Sequence, residues 1–275
     1  MKKLIITLVL LVSTLVTATY AALAQSMAMQ SGASFKSNED AGAPTVARGS
    51  FAAIYPTVTN FPITGSGGTV TPLSESAFGI RVQVTKSGQT WFAKLSFVTA
   101  TQINAIMPYD QQGGEDPSGL VTVTIQKSDG TGGWINDRSK VYNIANQNPQ
   151  TFVAYSGSTP LLNGDLWGCN NSTCTSGATF IKKLLDGNPN PRSYNGNPVF
   201  VAIYVSGARS APGDLRGHLN GTLRTDLKLN SGQSTFEGVE QLNFRIPSDL
   251  SAGRHSFRTS LPSVDNDITS FADFQ

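Results

Sequence analysis

The sequence predicts an all-β protein made of two successive β-sandwich units with a short insertion between them. Three observations predict it. Strand-length runs of alternating polarity, bounded by Gly, Pro, Asn and Asp, recur at roughly ten-residue spacing from Gly49 onward. Helical periodicity is nearly absent. Three short motifs also occur twice in the same order, roughly 140–150 residues apart. Phe51-Ala52-Ala53-Ile54-Tyr55 returns as Phe200-Val201-Ala202-Ile203-Tyr204, and Ser87-Gly88-Gln89 returns as Ser231-Gly232-Gln233. Gln102-Ile103-Asn104, followed by Pro108, returns as Gln241-Leu242-Asn243, followed by Pro247.

Taken in order, residues 1–24 read as an export signal. Lys2 and Lys3 precede an apolar run over 4–16, and Ala22-Leu23-Ala24 supplies a small-x-small cleavage site. The expected destination is the periplasm, the cell surface or the medium, with no membrane span after signal cleavage. Residues 25–47 are small, polar and without periodicity, which predicts a flexible leader. The first sandwich is expected over 48–155. Residues 80–84 alternate as a half-buried strand, 85–88 turn, and 90–98 return to close a hairpin. A strand over 120–125, a turn at Asp129-Gly130-Thr131-Gly132-Gly133 and a strand over 134–144 complete this unit.

Residues 156–197 are expected to form a connecting insertion. It holds Cys169 and Cys174, the two cysteines of the chain, which in an exported protein predict a local disulfide. After them, residues 179–187 are expected to make two helical turns ending at Gly187. The second sandwich follows over 198–262, and 263–275 is expected to be a tail or final edge segment.

In the extended segments Gln102 and Asn104 point one way and Ile103 the other, and Gln241, Asn243 and Leu242 repeat this. The amides are expected to satisfy backbone groups where a strand crosses between sheets, with Pro108 and Pro247 ending the ladder. These segments also carry a resemblance. ATQINAIMPYD before a Gly loop and LVTVTI, and later VEQLNFRIPSDLSAG, resemble the paired Gln-Ile-Asn…Pro segments of a family of exported bacterial modules of unknown function. That family was first delineated in Acidobacteria such as Solibacter, often as the C-terminal module of large secreted proteins. GSFAAIY, PVFVAIYVSGA and NPQTFVAYSG resemble its opening and joining segments, so the likeness spans roughly 45–260. Pro56, where the family usually has Gly, and the cysteine insertion depart from it. The resemblance implies immunoglobulin-like sandwiches related to the transcription-factor and plexin type, and brings no catalytic residue with it.

Composition excludes some chemistry. Of 20 basic residues two lie in the export signal, and the other 18 balance 18 acidic ones, so the electrostatic attraction that nucleic-acid binding needs is missing. His218 and His255 are the two histidines, expected in a loop and at a strand surface, and no Gly-x-Ser-x-Gly elbow accompanies them. Glu115-Asp116 and Asp265-Asn266-Asp267 are possible calcium ligands but lack EF-hand spacing. No cofactor or metal is expected. Trp134, Trp167 and Tyr194 are the candidate ligand-binding aromatics, since rings on sandwich loops either stack on sugars or cover a core edge. The expected function is non-catalytic: adhesion, surface assembly or recognition of an extracellular protein or polysaccharide. A carbohydrate-binding module is the alternative, and a hydrolase with an unrecognised site the third reading.

Overall fold

The computed structural model describes residues 27–38, 44–109, 116–186, 189–265 and 267–275; the expected export signal lies outside them. The chain is all-β: the described residues contain strands and two short 3-10 turns, Pro212–Asp214 and Thr225–Leu227, and no α-helix. Its described residues divide into two compact units, one within 27–29 and 53–144 and the other within 30–52 and 145–275.

The first unit holds two sheets. One runs in the order Met27–Ser31, Phe51–Pro56, Ile103–Ile106, Lys94–Val98, Gly68–Ser74. The other runs Trp134–Ile144, Gly119–Ser128, Ile80–Lys86, Ser76–Ala77, with Gln89–Phe92 also paired to Ile80–Lys86. Alternation drives both. Ile80, Val82 and Val84 are fully buried while Arg81 and Gln83 between them face outward. The expected hairpin forms through Ser87 and Gly88, both at positive φ. Its return strand then breaks at Ala93. Gln89–Phe92 stays in one sheet and Lys94–Val98 joins the other, so this is where the chain crosses between sheets.

In the second unit one sheet runs Ala178–Lys183, Gly164–Cys169, Asn197–Ser206, Glu240–Arg245, Lys228–Gln233, with Gln150–Thr151 and Ser193–Tyr194 also on Asn197–Ser206. The other runs Val153–Ser156, Thr159–Leu162, Ser270–Phe274, Gly253–Ser260, Arg216–Leu219, Thr222–Leu223. Both sheets feed one hydrophobic cluster, in which Phe244 of the first meets Phe257 of the second edge-on at 6.3 Å. Each such fully buried side chain contributes about 1.5–3 kcal/mol.

The pairing schemes of the units match. In each, the Phe-x-Ala-Ile-Tyr strand lies beside the Gln-x-Asn strand, and that strand lies beside the one before it in sequence. The next two strands in the chain form a hairpin in the other sheet, against Ile80–Lys86 in the first unit and Arg216–Leu219 in the second. The register matches too. Asn104 pairs with Phe97 just past a bulge at Ser96, and Asn243 pairs with Asn230 just past a bulge at Leu229. The Ser-Gly-Gln motifs are not equivalent: the first makes a turn, whereas Ser231-Gly232-Gln233 lies inside a strand, opposite Leu242, Gln241 and Glu240.

Three expectations are corrected. The expected helix begins as a strand, Ala178–Lys183, because Thr179, Phe180 and Ile181 prefer an extended pleat and the open edge of Gly164–Cys169 gives them backbone partners. The insertion and the tail are not separate from the sheets of the second unit either. Residues 159–183 supply three of its strands, and Ser270–Phe274 lies between Thr159–Leu162 and Gly253–Ser260. Finally, the leader contains the strand Met27–Ser31, whose Met27 and Met29 side chains are fully buried.

Candidate functional site

Strand alternation builds one outward face of the second unit from residues far apart in sequence. Leu166, Val199, Val201, Ile203, Leu242 and Phe244 face the core, which turns Asp165, Trp167, Phe200, Tyr204, Gln241, Asn243 and Arg245 to the opposite side. Trp167 stands at the centre of an aromatic strip. Its ring is parallel to that of Phe200 at 6.4 Å and edge-on to that of Phe180 at 5.4 Å. Phe200 is 9 % exposed beneath its neighbours, but Phe180, on the edge strand, is 47 % exposed. Arg245 sits opposite Phe200 on the next strand.

An amide ladder runs beside the strip. Gln241 Nε2 donates to Asn243 Oδ1 (2.7 Å), and Asn243 Nδ2 donates to Asn230 Oδ1 (2.7 Å). In the first unit Gln102 Nε2 donates to Asn104 Oδ1, also at 2.7 Å. The amides therefore bond along the face to one another rather than capping backbone at a crossing, as the sequence suggested. Pro247 begins the turn that Leu250 N–H closes, and Pro108 follows the Ile103–Ile106 strand.

Tyr204 donates to Asp165 Oδ2 (2.7 Å). Burial, and then this carboxylate, push the Tyr204 phenol up to about 12, so it stays a donor. The pair opens onto a cleft of about 340 Å³ bounded also by Phe152, Asn163, Lys183 and Phe236.

The three aromatics singled out from sequence do not converge. Trp134 is in the first unit, where the Arg81 guanidinium lies 4.5 Å from the centroids of both Trp134 and Phe92. Arg81 Nε donates to Gln126 Oε1 (2.6 Å), whose amide donates to Asn136 (2.7 Å). Tyr194 packs against the core on the side of the sheet away from Trp167, and a Cβ on Gly168 would come within 2.4 Å of its ring. The Trp167 face is what remains of that expectation. Phe180, Phe200, Asp165 and Tyr204 were not singled out, although period-two alternation in TFIKK, VFVAIY and GDLWG turns each away from the core.

Cys169 and Cys174 form the expected disulfide across the start of the loop between Gly164–Cys169 and Ala178–Lys183.

Both histidines are buried, contrary to the loop and surface positions expected: His255 shares the inward phase of Phe257, whereas His218 lies on the outer side of its strand, opposite core-facing Gly217 and Leu219, and is covered by Arg258 and Ser260. Arg258 approaches His218 Nδ1 at 3.4 Å, so that nitrogen accepts, and Nε2–H donates to Ser260 Oγ (2.9 Å). Burial, and then Arg258, lower the His218 pKa. His255 donates from Nε2 to the Ser251 carbonyl (2.9 Å) and accepts at Nδ1 from Asn220 (3.0 Å). Neither imidazole has a lone pair aimed at a hydroxyl.

The acidic segments are engaged elsewhere. Asp265 pairs with Arg258 (2.8 Å), and buried Asp267 accepts from the backbone and hydroxyls of Thr151 and Thr259. Glu115 and Asn266 lie outside the described residues. Among the described residues no three His, Cys, Asp or Glu side chains gather as a metal site, and no helix is long and apolar enough to cross a membrane. No family model matches the chain, and no curated protein matches it.

Proposed function

We propose that the chain is an exported, non-catalytic binding protein of two duplicated immunoglobulin-like β-sandwiches. It recognises an extracellular partner, in adhesion or surface assembly, through the outward face around Trp167. The observation that carries this reading is the strip Phe180–Trp167–Phe200 lying beside a run of amides on one sheet face. The rings supply large, rigid contact area and the amides supply orientation. The matching strand order and bulge register of the two units support the duplication, and the core shared by two sheets in the second unit supports the sandwich. The resemblance to the exported Acidobacterial modules rests on the paired segments quoted above. The hydrolase reading is disfavoured by His218, whose Nε2 carries its proton toward Ser260 and so cannot take one from that hydroxyl.

A polysaccharide partner is the second reading, favoured because neutral amides suited to hydroxyls share this face with the rings and Arg245. The test is retention of the chain from Gln25 onward on the producer's cell envelope and on insoluble polysaccharides. Phe180→Ala and Trp167→Ala are expected to weaken retention about tenfold at an unchanged melting temperature. Unchanged retention in both variants defeats the assignment of this face. Turnover of ester, glycoside or peptide substrates above a heat-killed control defeats the non-catalytic reading.

A further inference from the structure

We infer that the cleft beside this face is a subsite for one neutral pyranose residue, an inference that rests on the second unit being the binding unit. The cleft brings together three polar side chains with unused hydrogen-bonding capacity. Asp165 uses Oδ2 for the Tyr204 hydroxyl, and its Oδ1 has no protein donor among the described residues. Lys183 stands opposite Asp165 on the neighbouring edge strand, and no side-chain bond of Lys183 or Asn163 is formed within the described protein. Their surroundings are fixed. Phe152 N–H donates to the Tyr204 carbonyl (3.0 Å), and Asn163 N–H donates to the Phe152 carbonyl (3.1 Å), so the walls are held by backbone bonds. Phe236, 68 % exposed, offers a bare aromatic ring at the rim.

A pyranose matches this set. Its C–H face stacks on an aromatic ring such as Phe236. An adjacent pair of hydroxyls donates to a carboxylate that has an oxygen to spare, and Lys183 and Asn163 donate to the remaining oxygens. One cation and one anion cancel, which favours a neutral sugar over a uronic acid or an amino sugar. A volume of about 340 Å³ is at the small end for ligand pockets and suits a single ring. Asp165 and Trp167 share the outward side of one strand, about 7 Å apart, so a glycan leaving the cleft continues onto the aromatic strip.

The experiment is ligand-observed NMR on the chain from Gln25 onward, with glucose, galactose, mannose, glucuronic acid and glucosamine as probes at millimolar concentration. Phe236→Ala alters an exposed loop side chain, and Asp165→Asn keeps the shape of the residue, so both variants should fold. The expected result is binding of at least one neutral hexose in preference to the two charged sugars. That binding should be about tenfold weaker in each of these variants. Absence of hexose binding, or hexose binding equal in wild type and both variants, overturns the subsite. Loss of polysaccharide retention in Trp167→Ala, together with either of those outcomes, leaves the aromatic face standing without the subsite.

Discussion

Single residues here are placed by what they must satisfy, and Glu240 is the sharpest case. It is fully buried in the strand Glu240–Arg245, its Oε2 accepts from Ala208 N–H (3.1 Å), and its Oε1 has no hydrogen-bond partner among the described residues. Burial pushes its carboxyl up to about 7, against the hydrogen bonds from the backbone and the nearby Arg209 charge, which favour ionisation. A carboxyl raised above its unfolded value gives stability that is complete below about pH 4.5 and is lost as pH climbs through about 7. The loss is on the order of 3 kcal/mol. Urea denaturation is expected to show Glu240→Gln more stable than wild type at pH 8 and little different at pH 4.5; equal curves at pH 8 would contradict it. Gly168 gives a second residue-scale prediction. Gly168→Ala drives a methyl into the Tyr194 ring and should cost about 1–3 kcal/mol, part of which Tyr194→Ala relieves in the double variant. Additive losses would mean the ring does not lie on Gly168. Neither constraint is legible in sequence, because a glycine is required here by a ring 26 positions away in the chain. The burial of the histidines is hidden for a related reason: His255 turns inward in phase with Phe257, and His218 is covered by Arg258 and Ser260 of a strand about 40 positions on.

At the scale of elements, alternation was legible wherever a strand has one wet and one dry face. Ile80–Lys86, Gly119–Ser128 and the Gln-x-Asn strands all follow the pattern read from sequence. Ala178–Lys183 was not legible, because two lysines and two leucines in succession mimic a helix when no partner strand is visible. Its β-branched and aromatic residues settle the matter only once Gly164–Cys169 is beside it. The Ser-Gly-Gln motif misled for the opposite reason, being three turn-prone residues that a strand can also accommodate. The disulfide closes part of the loop at the tip of the hairpin that carries Phe180, so its effect belongs to this element. Closing so short a loop is worth about 2 kcal/mol by chain entropy. Cys169→Ala with Cys174→Ala should lower the melting temperature by roughly 4–8 °C. Amide exchange should accelerate across Ala178–Lys183 before it does in Asn197–Ser206. Uniform acceleration through the whole sheet would place the staple's effect elsewhere.

For the whole molecule, the part of the sequence that looked least structured carries disproportionate weight. Residues 27–29 belong to the first unit and residues 30–52 to the second, so one short stretch contributes to both. In the first unit Met27 and Met29 are fully buried, and the Met27 carbonyl accepts from Tyr142 Oη (3.0 Å) and Lys140 Nζ (3.3 Å). In the second, Ala33, Val46 and Ala47 are buried, Asn38 Oδ1 accepts from Thr45 and Val46 N–H, and Ser34 Oγ donates to Gln150. Low hydrophobicity and lack of periodicity made this segment read as a leader. A five-residue strand, Met-Ala-Met-Gln-Ser, is too short to register as a pattern, and its value comes wholly from the partners it reaches. Two buried methionines alone are worth roughly 3–6 kcal/mol, a large share of the 5–15 kcal/mol by which a domain is ordinarily stable. A chain beginning at Arg48 is therefore expected to unfold at clearly lower urea than one beginning at Gln25, with both units affected. A peptide of residues 25–47 added in trans should restore part of the difference by strand addition. If the shortened chain keeps the original midpoint, Met27–Ser31 adds nothing to stability and the core of the first unit closes without it.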